Sequence, residues 1–192
     1  DILILLKGKK TNNYTILNET FKYFSIVVVI SLIFFNLPII SMLFFVLFSA
    51  YHFGEQQWTI FENNNSKSLT LFYFTFGSLI FFILFTLNSI EVSDVIYDIT
   101  SYYIPQGAYK ISLISLIVIN SIFLLINYKT LRPQLFHQFI LFLVMLIVFS
   151  VLDLLPAFAV YFVFFHSIPS IIEQAEYLFE DSIMNAISMV DE

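Results

Sequence analysis

The chain has three histidines, and two of them sit where a polar side chain is least expected. His52 lies in Ser49-Ala50-Tyr51-His52-Phe53-Gly54-Glu55-Gln56-Gln57-Trp58, a polar cluster closing a very apolar run. His166 lies in Phe164-Phe165-His166-Ser167-Ile168-Pro169-Ser170, deep in another. Glu55 and Gln56 follow His52 at i+3 and i+4, while Ser170, Glu173 and Gln174 follow His166 at i+4, i+7 and i+8. On helices, these spacings gather each set on one face. Ionisable groups inside a membrane are rare, usually face a bundle interior, and mark functional sites by default. Imidazole, with carboxylate or water at open positions, suits non-haem iron(II), which activates O2. His137, three residues inside a helix start near Arg132 and Gln134, is expected to do no more than hydrogen-bond a neighbour or reach the interface.

The elements that carry these residues follow from composition. Hydrophobic residues make up 59% of 192, with 25 Phe, and charged residues only 11%. Soluble domains carry about 25% charged residues. The expected class is therefore an all-α, polytopic transmembrane bundle forming a single membrane-embedded domain over residues 1–192. The absence of Cys excludes disulfides and thiolate metal sites, so any metal must use N and O ligands. A net charge of −6 offers no basic surface to nucleic acid. The chain begins with Asp1 followed by an apolar Ile2–Leu6, which suggests a fragment lacking an upstream helix.

A helix needs about 20 apolar residues to cross the hydrocarbon. About six spans are expected, at residues 16–36, 38–57, 69–88, 111–127, 134–152 and 154–173. The run from Tyr23 to Tyr51 is too long for one crossing, and Pro38 is its natural break. With that break, Lys7, Lys9, Lys10, Lys22, Lys67, Lys129 and Arg132 fall on one side and Lys110 on the other; without it the division is five to three. The positive-inside rule prefers seven to one. The amino-terminal segment and the acidic tail are then cytoplasmic, and the loop 89–109 with Glu91, Asp94 and Asp98 lies outside. His52 and His166 come to similar depths, roughly 21 Å and 15 Å below the outer ends of their helices. Trp58, Tyr102 and Tyr103 read as interfacial anchors, and Pro169 as a kink.

The combination His-Phe-Gly-Glu-x-x-Trp at 52–58, then Leu-Leu-Pro-x-Phe-x-x-Tyr-Phe at 154–162 running into Phe-His-Ser at 165–167, resembles the Brp/Blh family of membrane-bound β-carotene dioxygenases. The resemblance spans nearly the whole chain in motif order and helix count. It implies iron(II) held by histidines in a helical bundle, cleavage of the central double bond of β-carotene by O2, and release of two retinal molecules. It also implies a bacterial-type inner membrane, in which the charge count above puts the C-terminus on the cytoplasmic side, and a functional link to a microbial rhodopsin through retinal supply. His52 matches the histidine of the family's His-Phe-Gly motif, and His166 the first histidine of its His-Ser-x-x-His motif. Ser170 stands where that motif has its second histidine, and a further family histidine would precede Asp1.

On this reading His52 and His166 are metal ligands, and Glu55 or Glu173 a supporting or substitute carboxylate. Phe45, Phe48, Phe162 and Phe165 are candidate walls of a substrate channel, because β-carotene has no polar group and must be recognised by shape. Two other readings compete. One is a degenerate relative that holds a carotenoid or retinal without cleaving it, as Ser170 would explain. The other is a small membrane transporter relaying protons through its histidines, against which the acidic residues lie in loops and at helix ends.

Overall fold

The structure, a computed structural model, describes residues 13–58, 67–172 and 174–175. All regular elements among them are helical. They are α1 (Asn13–Asn36), α2 (Pro38–Gln57), α3 (Lys67–Leu87), α4 (Ser89–Thr100), α5 (Gln106–Ile126), α6 (Tyr128–Val151) and α7 (Leu154–Tyr161). A π-helical turn, Phe162–Ser167, follows α7 and leads back into α-helix. Pro38–Val163 form one compact unit, and a second comprises Asp1–Leu37 with Phe164–Glu192.

The helix breaks at Leu37, and Pro38 opens α2. Proline suits a helix's first residue, where its missing N–H costs no bond. Among the described residues, five helices are long and apolar enough to cross a membrane: Pro38–Gln57, Ser68–Leu87, Gln106–Ile126, Tyr128–Val151 and Leu154–Ile172. α1, the sixth expected crossing, is helical for 24 residues, and Thr20–Asn36 is a continuous apolar stretch within it. Asn18, Glu19 and Lys22 make its early turns polar.

α3 is the centre of the Pro38–Val163 unit. It is apolar all round, and 67% of its span is buried, against at most 17% for the other spans. A helix that is hydrophobic on every side belongs inside. It packs most extensively on α2 and then on α5, with α6, α7 and α4 also against it. The outward faces of the other helices show large apolar side chains such as Phe44, Ile126, Phe136 and Leu155. Such faces suit lipid, where burial from water no longer drives helices together and close van der Waals packing must do so.

Two glycines provide that packing. A Cβ on Gly54 of α2 would lie 1.9 Å from the Tyr73 carbonyl oxygen of α3, and one on Gly77 of α3 would lie 1.7 Å from the Ala50 carbonyl oxygen of α2. With Ser49 and Ala50 also buried, small residues bring the two backbones into contact. Polar groups tie the other helices down. Asn120 of α5, almost fully buried, donates from Nδ2 to the Thr75 carbonyl of α3 at 3.1 Å and to the Leu116 carbonyl at 2.8 Å. Ser93 of α4 meets the Tyr109 hydroxyl of α5 at 3.2 Å and donates to the Ile104 carbonyl at 3.1 Å. Gln57 and Gln138 join the end of α2 to α6: Gln57 Nε2 donates to Gln138 Oε1, and Gln138 Nε2 donates back to the Gln57 carbonyl, both at 2.7 Å.

The segment read as a loop between the third and fourth spans contains α4, closed by Ser101 in the left-handed region with φ 59°. Glu91, Asp94 and Asp98 recur there at helical spacing, which acidity alone concealed. Glu91 has a specific task. Its Oε2 accepts the Leu154 N–H at 3.0 Å, capping α7 from another helix, while Asp153 at the cap position makes no side-chain bond to it. Glu91→Ala should cost about 1 kcal/mol, the usual worth of an N-cap. Thermal unfolding in detergent would register the loss, and Glu91→Gln, which keeps an acceptor, should recover most of it.

Candidate functional site

The motif around His52 divides between two faces of α2. Ala50, Phe53 and Gly54 are buried, and the close crossing with α3 requires them there. His52 lies about 200° round the helix from both Ala50 and Gly54, at about 100° per residue. It is consequently turned outward. Phe45, Phe48, His52 and Glu55, spaced three, four and three, form one exposed stripe. The Phe48 ring stacks on the imidazole with centroids 6.4 Å apart, and Phe44 stacks on Phe48 at 5.9 Å. Tyr51 donates its hydroxyl to Glu55 Oε1 at 3.0 Å, which orients the carboxylate one turn beyond the imidazole.

This stripe brings four of the expected residues together: Phe45 and Phe48 as aromatic surface, His52 and Glu55 as donors. An imidazole nitrogen and a carboxylate oxygen on adjacent turns are donor types that a non-haem iron(II) ion takes. Phe162 lies in the same unit, where it meets Phe158 at 6.2 Å and the edge of Phe53 at 6.5 Å. Phe53 also meets Tyr161 at 5.3 Å. The carboxyl end of α7 is therefore packed against α2 at the residue next to His52.

Phe162, Phe165 and His166 all fall in the π-helical turn. Its physical cause is Pro169. In a regular α-helix its ring would press on the Phe165 carbonyl and leave that oxygen without its N–H partner, and a widened turn relieves both. The expected kink is thus expressed as an expanded turn, a feature frequent at functional sites. Phe165 and His166 are half-buried there. Ser170, one turn on, accepts a hydrogen bond from Gln174 Nε2 at 3.2 Å. Glu173 lies outside the described residues, as do the tail beyond 175 and Lys7, Lys9 and Lys10. Among the described residues, no three His, Asp or Glu side chains are gathered as a metal-holding group.

Trp58 departs from its expected role. It is 1% exposed, packed against Phe72 and Phe76 at 5.4 Å each, and is an internal wedge rather than an interfacial anchor. Tyr102 and Tyr103 are exposed. Position at the end of an apolar run suggested all three alike, because sequence does not tell which way a side chain turns after the last helical residue.

The family model for β-carotene 15,15'-dioxygenase matches residues 1–190. The chain belongs to the β-carotene 15,15'-dioxygenase family. No curated protein and no solved structure matches it. In this β-carotene dioxygenase relative, the motif His-Phe-Gly-Glu-x-x-Trp is divided between the inner and outer faces of the helix. Phe53, Gly54 and Trp58 hold the fold, leaving His52 and Glu55 as the outward groups able to do chemistry.

Proposed function

We propose that the chain cleaves the central double bond of β-carotene with O2, using iron(II) held by His52 and His166, and releases two molecules of retinal. The observation that carries this reading is the match to the dioxygenase family over residues 1–190, supported by the outward stripe of Phe45, Phe48, His52 and Glu55. Both atoms of O2 end in the two aldehyde groups, so the overall reaction needs no external reductant. Bound iron(II) supplies the activation of O2. The imidazoles of His52 and His166 would hold the metal, and Glu55, its carboxylate oriented by the Tyr51 hydroxyl, would support it. Glu173 is a second supporting carboxylate. Phe45, Phe48, Phe162 and Phe165 supply apolar surface that aligns the polyene and keeps water from the reacting bond.

The test is a paired measurement in β-carotene-producing cells: retinal extracted, and iron quantified per purified polypeptide. Retinal with bound iron supports the reading; bound carotenoid without retinal would favour the degenerate holder. Ser170→His sharpens it. A histidine one turn beyond His166 adds an imidazole in place of a hydroxyl, a poor iron ligand, and should raise both iron per chain and retinal yield. Iron already stoichiometric in the parent, with no gain from histidine, would show that Ser170 is not a lost ligand.

The proposed orientation has the C-terminus in the cytoplasm of an inner-membrane protein, and the retinal passes to a rhodopsin. Because the chain has no Cys, single cysteines at Asp94 and Ala186 can be labelled without background. Labelling should occur from opposite sides, and labelling of both from one side would overturn the orientation.

A further inference from the structure

The Pro38–Val163 unit contains a cavity of about 460 Å³ that does not include His52 or the stripe around it. Phe76 and Leu79 of α3, Ile117 and Leu124 of α5, and Phe139 and Phe142 of α6 make most of its wall apolar and aromatic. Asn120, Ser121 and Gln138 are its polar lining residues, and Trp58 also borders it. Asn120 and Gln138 use their amides on backbone and Gln57, as described above. Trp58 is different: its side chain is 1% exposed, and its Nε1–H is buried with no hydrogen-bond partner among the described residues. A buried donor without an acceptor is costly and rare in folded proteins.

We propose that this cavity is a binding site for one molecule of retinal, with the aldehyde oxygen accepting a hydrogen bond from the Trp58 indole. The choice of retinal rests on the cleavage reading above, which makes that aldehyde the product. The chemistry of the site matches it in three ways. The volume lies in the range of sites for a single small molecule, about 300–1,000 Å³, and toward its lower end, which suits half a carotenoid better than a whole one. Walls of Phe76, Phe139 and Phe142 offer flat faces to a conjugated chain. The unused group is a donor, and an aldehyde is an acceptor that brings no donor of its own. A site of this kind separates product from the catalytic stripe and holds it within the protein until transfer.

Trp58 is the sole tryptophan of the chain, so its fluorescence reports on the cavity directly. Retinal absorbs in the region of indole emission, and adding it to the purified protein in nanodiscs should quench Trp58 saturably at one equivalent. Ser121→Phe, which places a ring in the cavity from an exposed position on α5, should abolish saturable quenching while leaving the melting curve in place. Trp58→Phe keeps an aromatic ring and removes the donor; followed by the induced circular dichroism of retinal, it should bind about tenfold more weakly. Non-saturable quenching, or quenching unchanged by Ser121→Phe, would overturn the proposal. So would quenching by phospholipid with brominated acyl chains, sensitive to Ser121→Phe, in the absence of saturable retinal binding; the occupant would then be a bilayer lipid. The titration uses added retinal and is scored apart from retinal formed from β-carotene, so failure of binding and failure of cleavage are distinguishable.

Discussion

Replacing His52 by alanine is expected to eliminate retinal formation while leaving the protein folded and inserted. The fold side of that expectation follows from α2. His52 is on the outward face, about 200° from the Ala50 and Gly54 surface that contacts α3, so truncating it leaves that crossing in place. Its ring contacts include Phe48 and Phe53, and Phe53 retains Phe81, Tyr161 and Phe162. Surface changes of this kind usually alter stability by less than about 0.5 kcal/mol. The activity side follows from the proposed role. Hydrogen-bonding partners of a metal ligand are worth about 10–100-fold in affinity or activity, and loss of the ligand itself should exceed the upper figure. The measurement is retinal per milligram of protein beside iron per chain and a melting curve. Glu55→Gln makes an informative companion, because the amide oxygen still accepts from Tyr51 while the charge is lost. A His52→Ala protein with full activity would remove the metal reading from α2.

Gly77→Ala is expected to have the largest effect on stability. The added methyl carbon would stand 1.7 Å from the Ala50 carbonyl oxygen, and separations under 3.0 Å require something to shift. That oxygen is backbone, committed within α2, and has no rotamer to escape into. α2 and α3 would have to separate by about 1.3 Å, the difference between the two distances, and the separation would be felt along the crossing at Gly54 and Tyr73. Overpacking typically costs 1–3 kcal/mol, and a rigid backbone contact belongs at about 3 kcal/mol or more. Expression in membranes and the unfolding midpoint in detergent should both fall sharply. Gly107, with open space around its Cβ position, is the control: Gly107→Ala should leave both measurements unchanged.

These two substitutions separate the functions of one short motif. His52 and Gly54 are two residues apart, yet one is expected to govern chemistry and the other assembly. A reader of the sequence sees the histidine because ionisable groups in apolar runs are conspicuous. Gly54 and Gly77 are inconspicuous because their role depends on the partner backbone, and a glycine in an apolar helix carries no mark of what approaches it. The cavity behind Trp58 was hidden for a similar reason. Its walls come from α3, α5 and α6, and hydrophobic periodicity cannot distinguish an apolar residue facing a void from one facing lipid. Glu91, read only as part of an acidic outer loop, was equally opaque, because capping Leu154 requires two helices that are distant in the chain to meet.

Composition and periodicity by themselves determined the solvent, the helical class, the break before Pro38, the approximate limits of the spans and the histidines worth attention. These features are local: an unsatisfied backbone in lipid leaves helices as the solution for such runs, and proline ends them wherever it falls. The tertiary structure alone decided which face of each helix is inside. It made α3 the centre, turned Phe45, Phe48, His52 and Glu55 outward together, buried Trp58 and relieved Pro169 through a π-helical turn. In a membrane, apolar character does not distinguish core from surface, since both environments are equally greasy. Steric fit at small residues and the satisfaction of a few polar groups make that choice, and both are properties of pairs of helices rather than of any one.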